Sequence, residues 1–163
     1  METKNKILKT AKIGKICAQV LYITSIVACL VFTVLAIVLP LTNAIKSIKP
    51  AEAAIVFAVL AVYAFFMFGL LWNVQQFFAS IQTSGSVFNA QASKYLKKTA
   101  IFTMVLSVVP AIIGSTLMHL CVPGSEFVFR IEIVGIVTGA VLLLVGLFFQ
   151  YGQELQKKDD ETL

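Results

Sequence analysis

Four apolar runs dominate the chain, at residues 16–39, 53–72, 99–121 and 131–149. Their interiors hold no Lys, Arg, Asp or Glu; Glu132 stands one residue inside the start of the fourth. Each run is about 19 to 24 residues, and at about 1.5 Å per residue each matches a hydrocarbon core of about 30 Å. Lipid offers backbone amides no hydrogen-bond partner, so such a run must be a helix that bonds internally. The expected fold is all-α, an integral membrane four-helix bundle. Composition agrees: 13% of residues are charged and the mean hydropathy is +0.92, where soluble domains average about 25% charged.

The basic start and the first run look superficially like a secretory signal. The run is too long for the apolar region of one, and no small-residue cleavage site follows in VLPLTNAIKSIKP. Helix 1 is therefore expected to stay as a signal-anchor.

Charge then orients the helices. Lys4, Lys6, Lys9, Lys12 and Lys15 precede the first run, Lys94, Lys97 and Lys98 precede the third, and Lys157 and Lys158 follow the fourth. With an even number of spans these cations share one face. The other face keeps Lys46, Lys49 and Arg130, offset by Glu52, Glu126 and Glu132. The positive-inside rule places both termini and the segment 75–100 in the cytoplasm. The net charge of +5 is thus read as attraction to the anionic headgroups of the lipid bilayer, with no direct nucleic-acid contact.

The expected organisation is a basic cytoplasmic N-terminus (1–15), a membrane domain (16–149) of two helical hairpins, and a cytoplasmic tail (150–163). A cytoplasmic helical hairpin at 73–98 joins the two halves. Helix 1 should end at Leu39-Pro40, and Pro50 is suited to start helix 2. Pro110 should kink helix 3, with Ser107 able to satisfy a freed carbonyl. A weak internal echo exists. Leu8-Lys9-Thr10-Ala11 resembles Leu96-Lys97-Lys98-Thr99-Ala100, and Phe77-Phe78-x-x-x-Gln82 resembles Phe148-Phe149-x-x-x-Gln153. A duplicated hairpin would explain both, as would chance in sequence of low complexity.

The segment QQFFASIQTSGSVFNAQASKYLKKTA is the longest polar interior stretch. Val74, Phe77, Phe78 and Ile81 recur at helical spacing, so helix 2 should continue past the membrane as an amphipathic extension. Gly85 is suited to a positive-φ turn, and Asn89 to an N-cap for the helix that leads into helix 3. Phe77, Phe78, Gln82, Gly85 and Phe88 are the candidate partner-docking residues.

This pattern of aromatics, F-F-x-S-I-Q, a Gly, a Phe, a capping residue and a basic Leu-Lys stretch, resembles the bacterial membrane family catalogued as domain of unknown function 2975. The tail adds Phe148-Phe149, Gly152-x-Glu154-Leu155 and an acidic end. Where that family carries an acidic residue and an Arg after the Phe, this chain has Asn89-Ala90-Gln91-Ala92-Ser93. The resemblance implies a small four-helix protein of the bacterial cytoplasmic (inner) membrane with no established activity. It also implies a helix-turn-helix transcriptional regulator as a cytoplasmic partner.

Chemistry is sparse. A proton-coupled exporter needs an intramembrane carboxylate, and Glu52, Glu126 and Glu132 are all expected at the outer boundary. His119 lies near Cys121, but residues two apart on a helix face different ways and no second His completes a metal site. Cys17, Cys29 and Cys121 form no C-x-x-C. No nucleophile, zinc or phosphate-loop motif is present, so neither an enzyme nor a cofactor is expected. Gly135, Gly139 and Gly146 form a small-residue stripe on helix 4, and Ser107, Ala111 and Ser115 form another on helix 3. Such faces serve helix packing within the chain, or a homo-oligomer. The expected function is that of a non-enzymatic membrane regulator or signalling accessory with a soluble cytoplasmic partner. The alternative is an immunity protein or an accessory subunit of a transporter.

Overall fold

The computed structural model describes residues 2–42, 50–124, 126 and 132–161. They form four helices: α1 (Glu2–Thr42), α2 (Pro50–Ser84), α3 (Ala90–Cys121) and α4 (Ile133–Glu161). All four are long and apolar enough to cross a membrane. Lys46, Lys49 and Arg130 lie outside the described residues, as does most of the loop before α4.

The helices outrun their apolar segments. α1 has 41 residues, which at about 1.5 Å per residue is about 60 Å, twice a hydrocarbon core. Its first turns hold five Lys, a good helix former, and no Pro, so nothing stops the helix where the apolar run stops. It also passes Pro40, expected to end it, and closes at Thr42, whose hydroxyl donates to the Val38 carbonyl at 3.0 Å. α2 does begin at Pro50 and runs unbroken to Ser84. α4 carries through most of the expected tail to Glu161.

Consecutive helices pack side by side and run antiparallel. Ser25 of α1 donates to the Ala64 carbonyl (2.8 Å), Cys29 to that of Ala61 (3.6 Å), and the Tyr22 ring stacks on Phe68 at 4.7 Å. Between α2 and α3, Phe102 lies over Gly69 and Val59 over Gly114. Between α3 and α4, Ser93 donates to the Gly146 carbonyl at 2.8 Å. Among the described residues no Cα of α1 comes within 8 Å of α3 or α4. The four helices are thus a series, each laid on the one before.

Burial is thin at mid-height, where Leu30 is 64% exposed and Val134 80%. Lipid tails are as apolar as leucine, so close approach over small residues holds such helices together, rather than a buried core. The apolar core sits at one end. Ala11, Ile81 and Ala92 are buried there, with Ile7, Phe77, Phe78 and Val87 packed on them. The starts of α1 and α3 and the ends of α2 and α4 meet at that end.

Candidate functional site

The turn that joins α2 to α3 spans residues 85–89 and is heavily cross-bonded. Gly85 has φ 67°, and its amide donates to the Ile81 carbonyl at 2.9 Å. Asn89 is extended and accepts from the Ala92 amide at 2.7 Å, the N-cap its position calls for. Its amide nitrogen donates to the Ser84 hydroxyl and the Ser86 carbonyl, both at 2.9 Å. The Phe88 amide is held by the Ser86 hydroxyl at 3.2 Å. The turn is therefore bonded both within itself and to Ile81, Ser84 and Ala92 in the adjoining turns of α2 and α3.

The aromatics of this segment face inward more than docking would require. Phe78 covers Gly14 of α1, where an added Cβ would meet its ring at 2.6 Å. Phe77 packs edge-on to Phe78 (5.3 Å) and stacks on Phe149 of α4 (6.3 Å). Phe88 meets Phe149 at 5.5 Å and lies over Gly152, yet stays 42% exposed. Gln82 is half-buried and lines a groove with Lys12 and Lys15. Phe77 and Phe88 thus meet on Phe149, Phe78 joins them through Phe77, and Gln82 stands apart beside α1. Phe149, Gly14 and Gly152 belong to this cluster although the sequence does not single them out. The repeated Phe-Phe pair was the signal that could have found Phe149.

The small-residue stripes pair in part. A Cβ at Gly135 would overlap the Ser107 hydroxyl, and one at Gly139 would lie 2.9 Å from the Ala100 carbonyl. Gly146 rests on Lys97 and Leu96. Ala111 and Ser115 lie about 6 and 12 Å farther along α3, while Ser107 is the member of that stripe set against a glycine of α4. Ser107 donates to Thr103, not to the Leu106 carbonyl that Pro110 leaves without its usual amide.

This register corrects the expected height of Glu132. Its amide approaches the Ser107 carbonyl at 3.5 Å, fourteen residues, or about 21 Å, below the last residue of α3. The three glycines set that height, because α4 fits α3 closely only where each finds room.

Among the described residues no group of three or more His, Cys, Asp or Glu could hold a metal ion. His119, Cys17 and Cys121 are exposed, and Cys29 is half-buried. The Gln75 Oε1 atom is buried without a hydrogen-bond partner. Compared with protein-family models, curated proteins and solved structures, the chain matches none.

Proposed function

We propose that this is a non-enzymatic, multi-pass protein of the bacterial inner membrane that acts as a regulator or signalling accessory. In this reading both termini and the 85–89 turn are cytoplasmic, and the chain is two hairpins of the domain-of-unknown-function 2975 type. Its partner is a soluble cytoplasmic protein such as a helix-turn-helix regulator. The observation that carries the reading is the build of the turn-bearing end. A loose linker would not need the Ser84–Ser86–Asn89 network or four aromatics locked between α1, α2 and α4. What such a platform offers is its outer surface: the exposed part of Phe88 and the neighbouring exposed Thr83 and Gln91.

The test follows from that division. Gln91→Arg and Thr83→Arg alter the outer surface without removing any packed side chain. Partner binding or regulation should be lost at an unchanged protein level. Normal regulation in both, and in Phe88→Ala, would remove the docking role and leave the aromatics as internal packing. The alternative, an immunity or transporter accessory that lays its helices on a larger membrane protein, is favoured by one observation. α1 packs on α2 alone by backbone distance and leaves Val20, Leu30 and Ile37 outward. Bulky substitutions along that row would then hurt function more than those at Gln91.

A further inference from the structure

Two clefts flank the turn-bearing end, one between α1 and α2 and one between α3 and α4. The first, about 440 Å³, is lined by Lys12, Lys15, Gln19 and Gln82 over Leu8 and Ile16. The second, about 410 Å³, is lined by Lys94, Lys97, Lys98, Gln150 and Gln153, with Ile101 at its edge. In both, lysines about one helical turn apart, near the turn-bearing end, face side-chain amides on the helix that runs the other way. Neither lining includes a carboxylate.

The two sit at nearly one height. Phe77 stacks on Phe149, and α2 and α4 run in the same direction, so Gln82 and Gln153 fall five and four residues beyond that contact. These are the glutamines that close the repeated Phe-Phe-x-x-x-Gln pattern. In the second cleft Lys97 Nζ donates to Gln150 Oε1, which turns the amide nitrogen of Gln150 away from that lysine; one of its N–H groups reaches Glu154 Oε1, outside the lining, at 3.5 Å, and the other is a further donor.

From these features we infer that each cleft seats one anionic glycerophospholipid by its phosphate. Ammonium groups and amide N–H groups are donors that suit an acceptor-only anion. The phosphate of a lipid and free inorganic phosphate share that chemistry. The walls select the lipid. Ile16 leads along α1 to Val20, and Ile101 opens beside the second cleft, each more than half exposed. An acyl chain therefore has an apolar path directly below each set of donors. Basic pockets between spanning helices are known to bind acidic headgroups. The inference rests on membrane insertion, but on neither the proposed sidedness nor a protein partner.

The test is native mass spectrometry of the full-length protein in neutral detergent, with phosphatidylglycerol competing against phosphatidylcholine of the same chains. Two phosphatidylglycerol molecules should be retained in preference. Lys12→Gln with Lys15→Gln should weaken one site about tenfold or more, and Lys94→Gln with Lys97→Gln the other. The corresponding Arg pairs should keep both lipids. Gln82→Leu and Gln153→Leu leave the charge unchanged and should each weaken one site. Lys157→Gln with Lys158→Gln removes two charges at the same end, outside the clefts, and should keep both. Equal losses in the cleft and tail pairs, or silent Gln82→Leu and Gln153→Leu, would show diffuse attraction and overturn the inference. Displacement of the lipids by millimolar inorganic phosphate would overturn it in favour of a soluble anion.

Discussion

Two glycines carry constraints that no other residue meets as well, for different reasons. Gly85 sits at φ 67°, where a β-branched side chain strains the backbone by on the order of 1–3 kcal/mol. Gly85→Val should lower the midpoint of thermal unfolding in detergent, while Gly85→Asn, whose side chain tolerates that region, should nearly restore it. Equal midpoints for the two would mean the turn does not depend on the left-handed conformation. Gly139 is a matter of space. An added Cβ would lie 2.6 Å from Met104 Cγ and 2.9 Å from the Ala100 carbonyl. The Met104 side chain can change rotamer, but the carbonyl cannot move without α3. Gly139→Val should therefore cost about 1–3 kcal/mol through overpacking. A Gly139→Val protein as stable as the parent would show that α4 can slide on α3. Only half of this was legible beforehand. A glycine after Ser84 announces a turn, whereas the partner of a glycine in a stripe depends on the helix laid across it.

At the scale of elements, hydropathy marked the part of each helix suited to lipid and was silent about the rest. Lysine stops an apolar run without stopping a helix, so α1 begins at Glu2 and α4 ends at Glu161, well outside those runs. Local signals did better. Pro50 starts α2, and Asn89 caps α3. The height of α4 was illegible because glycine packing against Ser107, Ala100 and Leu96 decides it, and hydropathy contains no term for register. The Asn89 cap gives this scale its prediction. Asn89→Ala removes the acceptor for the Ala92 amide and both side-chain donations to the turn. A lost cap costs about 1 kcal/mol, so amide exchange at the first turn of α3 should quicken while the helix midpoints stay protected. Unchanged exchange at Ala92 and Ser93 would show that the cap does not hold the turn.

For the whole molecule, the open question is which way the series of helices faces. Lysines cluster at the end that holds the 85–89 turn, and moving such residues across the bilayer is disfavoured, so that end should remain in the cytoplasm. The protein carries its own probe for this. Cys121 is exposed at the last residue of α3, at the end opposite the turn, whereas Cys17 is exposed two residues past Lys15. A membrane-impermeant maleimide added to intact cells should therefore label a variant that keeps Cys121 alone. A cysteine-free variant carrying Ser84→Cys should stay unlabelled until the membrane is opened. The reverse pattern would turn the molecule over and move the lysine-rich end outside. A soluble cytoplasmic partner at Gln91 would then be excluded, whereas the two lysine clefts would keep their lipids in the opposite leaflet. Labelling thus separates the proposed docking function from the proposed lipid sites in one measurement.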